Sequence, residues 1–147
     1  MLATLVAVTL VALEVCRVDL VSRRIPNQLV AAAALLTLAG ATAGWLAGSA
    51  PWPVFIGAVL GGGPVFVFHL VSPAGMGFGD VKWATAVGAA IGLVGWHLAV
   101  LVPLVGSLLA VVTAMATRQR HIAFGPALSA GALFAVTLGP VVMGRGR

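Results

Sequence analysis

Three carboxylates, Glu14, Asp19 and Asp80, are the acidic groups that this 147-residue chain could use for chemistry. Asp80 follows the stretch Gly75-Met76-Gly77-Phe78-Gly79, whose three glycines free the backbone for turns and close approaches. We expect Asp80 to be the last residue of this glycine loop or to lie in the first turn of the next helix. An ionisable group is expensive to bury in so apolar a chain and by default indicates function.

Asp19 lies in a second polar segment, Arg17–Asn27. Two carboxyls held close together share one proton, because both cannot cheaply ionise at once. One carboxylate can then act as a base on water while the other polarises a peptide carbonyl. If Asp19 and Asp80 meet, the pair could hydrolyse a peptide bond without a metal.

The remaining reactive side chains offer little competition. Cys16 is the single cysteine, which excludes an intrachain disulfide and a cysteine-based metal site. Glu14 is either a third polar group near the site or an interfacial residue, and we favour the interfacial role. We expect no metal or cofactor, because the three histidines are dispersed at His69, His97 and His121.

The composition is that of a membrane protein. The chain is 61% hydrophobic and 7% charged, with a mean hydropathy of +1.16, whereas soluble domains have about 25% charged residues. At about 20 residues per crossing, residues 1–147 fit a single all-α domain of about six transmembrane helices in the lipid bilayer. The net charge of +5 is scattered over several loops, so we expect no nucleic-acid partner.

Apolar runs and their breakers predict the helices. Asn27 is expected to cap helix 2 through its side chain, and Gly61-Gly62-Gly63-Pro64 to kink or unwind helix 3 while permitting close helix packing. The predicted helices are about Leu2–Val18, Gln28–Leu46, Val54–Val71, Asp80–Val94, Leu98–Thr117 and Pro126–Met143.

The basic residues predict an orientation. The loops after helices 2 and 4 carry no charge, and those after helices 1, 3 and 5 carry Arg17, Arg23, Arg24, Lys82, Arg118 and Arg120. Basic loops remain on the cytoplasmic side, so both termini are expected outside, although Arg145 and Arg147 then lie on the less favoured side. Asp19 and Asp80 are thereby predicted to share the cytoplasmic face.

Three motifs resemble those of the type IV prepilin peptidases, which are intramembrane aspartyl peptidases. Asp19, five further residues and then Ile25-Pro26-Asn27 resemble the first motif. Gly77-Phe78-Gly79-Asp80, extended by Lys82, resembles the second, Gly-x-Gly-Asp. Phe124-Gly125-Pro126-Ala127-Leu128 resembles a third element near the final helix. The motifs occur in the family's order and span most of the chain.

The resemblance implies an endopeptidase that cuts the leader from prepilin or pseudopilin proteins at the cytoplasmic face of the inner membrane. It implies that Asp19 and Asp80 are the catalytic residues. Other motif positions would bind substrate or shape the site, namely Gly77, Gly79, Lys82, Pro26 and Asn27. Larger members carry a loop with paired cysteines that is associated with N-methylation of the product. Since Cys16 stands alone here, we expect the short form, which acts only as a peptidase.

Two other functions are compatible with an apolar chain that carries few acids. A small transporter would use intramembrane carboxylates for substrate or protons, but it should show internal repeats and acids deep within its helices. A structural subunit of a secretion assembly would not need two acids in matched motifs. Whether the two aspartates face one cavity distinguishes the peptidase from both.

Overall fold

The computed structural model describes residues 2–22, 25–73, 76–117 and 124–144, and these residues form helices joined by short connections. This confirms the predicted all-α class. The α-helices are α1 Leu2–Ser22, α2 Asn27–Leu46, α3 Trp52–Val71, α4 Phe78–Gly95, α5 Leu101–Thr117 and α6 Phe124–Gly144, with a 3₁₀-helix, Trp96–Val100, between α4 and α5.

Three helical segments of the described chain are long and apolar enough to cross a membrane. They are Asn27–Leu46, Trp52–Val71 and Phe78–Thr113, the last of which runs from α4 into α5. Phe124–Leu138 is a shorter apolar segment. Large apolar side chains cover the outer surfaces of the bundle, for example Leu10, Leu35, Phe55, Leu70 and Leu108. Such a surface suits hydrocarbon and not water, which indicates a membrane protein.

Helix α4 lies at the centre of the bundle and packs against α1, α2, α3 and α6. Its side chains Trp83, Ala84, Val87 and Ile91 are almost completely buried. The helix can be surrounded in this way because most of its residues are small, so neighbouring backbones approach it closely.

The closest approach is between α3 and α4, where glycines of the two helices face each other. A Cβ atom on Gly61 would lie 2.7 Å from the carbonyl oxygen of Ala84 and 2.8 Å from the Cα of Gly88. Gly57 likewise contacts the backbone of Gly88 and Gly92. Small residues at four-residue spacing therefore form both sides of the contact, and the close packing predicted for the glycine cluster is confirmed.

Two expectations about helix interruptions need correction. Helix α3 continues as α-helix through Pro64, so of the two predicted outcomes, a kink or local unwinding, the unwinding is wrong. In an apolar environment the backbone N–H and C=O groups around Pro64 have no partners outside the helix. This favours a continuous helix although Pro64 itself lacks an N–H. After α4 the chain continues as the 3₁₀-helix, so α5 begins at Leu101 and not at Leu98.

The first two helices also differ from the prediction. Helix α1 extends to Ser22, which places Asp19 inside its last turn and not beyond its end. Asn27 is the first residue of α2, and Pro26 is at the cap position without a side-chain cap, so the predicted capping by Asn27 is wrong. The carbonyl of Pro26 instead accepts the backbone N–H groups of Leu29 and Val30 at 3.1 and 3.3 Å.

The helix ends that carry the motifs collect at one end of the bundle. These are the end of α1 and the starts of α2, α4 and α6, which are joined by the contacts described below. At the opposite end the rings of Trp52 and Trp96 lie 6.4 Å apart. Several residues of the sequence argument lie outside the described residues, namely Arg23, Arg24, Gly75, Arg118, Arg120, His121, Arg145 and Arg147.

Candidate active site

Asp19 is a buried carboxylate at the junction of α1 and α6. Its side chain is 4% exposed, and its Oδ2 accepts a hydrogen bond of 3.1 Å from the backbone N–H of Gly125. Gly125 is the second residue of α6. The N–H groups of a helix's first turn have no partner within the helix. The Asp19 carboxylate supplies the acceptor that the Gly125 N–H requires.

Asp80 lies in the first turn of α4, one of the two positions expected from the sequence. Its backbone N–H donates to the carbonyl of Gly77 at 3.1 Å, and a Cβ on Gly77 would lie 3.4 Å from its Oδ2. The Asp80 side chain is half-buried. The turn at Gly77 therefore places the beginning of the glycine motif next to Asp80.

The helix ends that carry the two carboxyls lie in the same region of the bundle. Asp19 and Asp80 are 61 positions apart in the sequence, but Gly79, the neighbour of Asp80, packs beside Ile25 of the first motif. The two aspartates reach the same region because α1 ends where α4 begins, and both helices pack against α6. Two carboxyls that come into contact can share a proton, which is the arrangement needed to activate water.

Lys82 and Asn27 join the second motif to the first. Lys82 Nζ donates to Asn27 Oδ1 at 3.2 Å and lies 5.2 Å from the centroid of the Phe78 ring. Both Lys82 and Asn27 are exposed. Among the described residues the one ion pair joins Arg17 to Glu14. The ammonium of Lys82 thus connects the first turns of α4 and α2 without forming an ion pair with Asp80.

Gly79 and Pro26 support the same contact between motifs. A Cβ on Gly79 would lie 3.6 Å from the Cβ of Ile25, so the glycine packs beside the residue that precedes Pro26. Pro26 itself holds an extended backbone, with φ −64° and ψ 131°. It turns the chain from α1 into α2 at the place where α4 begins.

Glu14 is directed to a different partner. Its Oε1 accepts from Arg17 Nη2 at 2.9 Å, and the two side chains are 43% and 77% exposed. This position agrees with the interfacial role favoured for Glu14, and it leaves Asp19 and Asp80 as the acidic pair.

His69 is a residue of the site region that sequence reasoning considered only as a metal ligand. Its Nδ1 lies 2.8 Å from the carbonyl oxygen of Met76, and its ring is 5.6 Å from that of Phe78. Because a carbonyl only accepts, Nδ1 carries the proton in this bond. His69 therefore holds the segment before Asp80 against the end of α3. The position of His69 in the last turn of α3, shortly before the glycine motif, is the sequence feature that could have indicated this role.

A large apolar groove among the described residues lies apart from the two aspartates. It has a volume of about 820 Å³, lies between α2, α3 and α4, and reaches Phe78 and Lys82 at one end. Neither aspartate lines it, and its polar side-chain groups come from threonines, Lys82 and Trp45. The described residues also contain no group of three or more His, Cys, Asp or Glu side chains able to hold a metal.

Comparison with known protein families decides the family. The family model of the type IV leader peptidase family matches residues 5–116. The chain belongs to this family. The matched part of the leader peptidase includes both aspartates and ends before α6, so the third element, Phe124–Leu128, lies outside it. The comparisons with curated proteins and with solved structures found no match.

Gly125 belongs to the third motif of the family resemblance, but sequence reasoning gave it no role in the site. The sequence does not show which residue of α1 its backbone meets. Its contact with Asp19 arises from the packing of α6 against α1.

Proposed function

We propose that this leader peptidase family member is an aspartic endopeptidase in which Asp19 and Asp80 together activate water. One observation supports the proposal: the two motifs that carry the acids meet at one end of the helix bundle, where Lys82 Nζ donates to Asn27 Oδ1 at 3.2 Å and Gly79 packs beside Ile25. Among the described residues neither acid forms an ion pair.

The reaction requires one carboxylate and one carboxylic acid. The carboxylate takes a proton from water, whose oxygen attacks the carbonyl carbon of the scissile peptide. The carboxylic acid donates a hydrogen bond to the carbonyl oxygen as negative charge develops there. The carbonyl then re-forms as the peptide C–N bond breaks, and the leaving amine takes a proton from the pair, which returns to its singly protonated state. Atoms and charges balance without a metal ion.

The proposed substrates are prepilin or pseudopilin proteins, as the family implies. We propose that the chain crosses the inner membrane six times, with both termini outside and the site at the cytoplasmic face. A substrate would then be cut where its basic leader meets its apolar helix, and the family resemblance adds a glycine before the cut.

Co-expression with a candidate prepilin tests the function directly. The expected result is a shortened prepilin whose new N-terminus lies at the leader boundary, determined by mass spectrometry of the purified product. This N-terminus should be unmethylated, because the chain contains a single cysteine, Cys16. Prepilin that remains full-length in the presence of properly inserted wild-type enzyme would refute the proposed activity on that substrate class.

A further inference from the structure

We propose that Gly125 is a positioning residue that fixes the Asp19 carboxylate by donating its backbone N–H and by having no side chain. The inference rests on the proposed function only in treating Asp19 as catalytic. It adds to that function a role for α6, which sets the geometry of the acidic pair.

The space beside Gly125 is already occupied by Asp19. A Cβ atom at position 125 would lie 2.6 Å from Asp19 Oδ2 and 3.1 Å from its Cγ. Carbon and oxygen atoms that are not bonded require more than 3 Å, so one of the two groups would have to move. Asp19 has a short side chain that is 4% exposed, which leaves it little freedom to withdraw.

The backbone at Gly125 does not itself demand glycine. Among the described residues, Gly48 is the glycine with positive φ, so an alanine at position 125 would adopt an allowed conformation. The cost of adding a methyl group would therefore come from the contact with Asp19 and not from backbone strain.

A second contact ties the same part of α6 to the helix of Asp80. The indole Nε1 of Trp83 donates to Ser129 Oγ at 3.0 Å, and both side chains are buried. Trp83 is three residues after Asp80, and Ser129 is one helical turn after Gly125. The beginning of α6 thus contacts Asp19 directly and the helix of Asp80 through Trp83, so it fixes how the two carboxyls face each other.

Kinetics of the Gly125→Ala enzyme test the catalytic consequence. A displacement of about 1 Å in a reacting group can lower the rate about a hundredfold, and we expect that loss in kcat with KM unchanged. We also expect the pH–rate profile to shift along the pH axis, because the environment of the pair changes and the profile belongs to the pair. Loss of folded protein would lower the whole profile without shifting it.

The matched control is Gly63→Ala. Gly63 also lies in a helix, and a Cβ there would meet nothing within 4 Å. This enzyme should keep the wild-type kcat, KM and pH profile. Wild-type kinetics in the Gly125→Ala enzyme, or a profile that is lowered but not shifted, would overturn the positioning role.

A double-mutant cycle on stability tests the contact independently of activity. Gly125→Ala should lower the unfolding temperature of the wild-type chain in detergent, whereas in an Asp19→Ala background the methyl group has room and the loss should disappear. Equal losses in both backgrounds would overturn the contact. The cycle needs no substrate, so it remains decisive even if the wild-type enzyme processes no prepilin and the proposed function fails.

Discussion

Each carboxylate of the candidate site lies near the N-terminus of a helix. Asp80 is in the first turn of α4, and Asp19 accepts from an N–H in the first turn of α6. The N-terminus of a helix carries partial positive charge, which stabilises a nearby negative charge. The N-termini of α4 and α6 would therefore stabilise the one negative charge of the proposed carboxyl pair, whereas the C-terminal end of α1, which carries Asp19, opposes it.

Replacing either acid by its amide should abolish cleavage. In Asp19→Asn and Asp80→Asn the shape is kept, but an amide can neither take a proton from water nor share one. We expect processing of a co-expressed prepilin to fall by at least about a hundredfold in each variant, measured by the fraction of processed product. Membrane insertion should be unchanged.

Glu14→Gln is the matched control for these two variants. Glu14 is bound to Arg17 and away from the acidic pair, so its amide should retain substantial activity. Chelators should likewise leave the wild-type rate unchanged. Near wild-type processing by a properly inserted Asp19→Asn or Asp80→Asn enzyme would contradict the dyad, as would activity that is lost with chelator and restored with metal.

His69 should contribute to activity by holding the segment before Asp80. His69→Phe keeps an aromatic ring beside Phe78 but removes the donor to the Met76 carbonyl. Loss of one such bond costs about 1 kcal/mol, and we expect activity to fall roughly fivefold if the loss acts on the transition state. Initial rates on a purified prepilin would measure it.

His97→Phe provides the comparison at the other end of the bundle. His97 is exposed and stacks edge-on against Trp96, with ring centroids 5.8 Å apart. A phenylalanine can keep this contact, so the rate should not change. If both histidine variants lose activity equally, the effect is not specific to the segment before Asp80.

At the scale of the elements, the glycine contact between α3 and α4 sets the position of Asp80. The backbones meet at Gly57, Gly61, Gly88 and Gly92, and α4 begins with the motif that carries the acid. An added methyl group cannot be absorbed there, because the opposing atoms belong to backbone and not to flexible side chains. The separation of α3 and α4 is thus fixed by glycines well away from the site.

Gly61→Ala should therefore destabilise the protein, whereas Gly63→Ala should not. Overpacking of this kind typically costs 1–3 kcal/mol, so we expect about 2 kcal/mol for Gly61→Ala. Gly63→Ala introduces the same group where nothing lies within 4 Å, and the higher helix propensity of alanine makes it neutral or slightly stabilising. Thermal unfolding in detergent micelles would give both values. Equal stability of the two variants would contradict the tight contact.

At the scale of the whole molecule, the structure brings the ends of α1 and α3 and the starts of α2, α4 and α6 together. Contacts between Asp19 and Gly125, Lys82 and Asn27, and Gly79 and Ile25 join these ends. The basic loops of the sequence follow α1, α3 and α5. If an odd number of membrane crossings separated two motifs, the motifs would lie on opposite sides of the membrane. The motifs must therefore lie on the same side to form one site.

Cysteine labelling from each side of the membrane should place this end in the cytoplasm. In a Cys16→Ser background, cysteines introduced at Arg23 and Gln119 should react only with reagent on the cytoplasmic side, and one at Ser49 only with reagent outside. The reason is that basic loops are retained in the cytoplasm. Labelling of Arg23→Cys or Gln119→Cys only from outside would reverse the orientation and remove the proposed site from the cytoplasmic face.

The sequence by itself determined the all-α class, the family and the two candidate acids. An apolar composition leaves few alternatives to helices, because backbone groups in hydrocarbon must bond within their own segment. Rare charges in such a chain also stand out, so Asp19 and Asp80 could be selected before any contact was known. Local rules were less reliable at helix boundaries: Asp19 lies inside α1, Asn27 does not cap α2, and Pro64 does not interrupt α3.

Only the tertiary structure decided which residues support the acids. The contact of Gly125 with Asp19 joins positions 106 residues apart, and the bond from Trp83 to Ser129 joins positions 46 apart. Contacts of this kind depend on how far each helix is rotated and shifted against its neighbours. That placement results from the simultaneous packing of small residues on several helices, which no local pattern in the chain encodes.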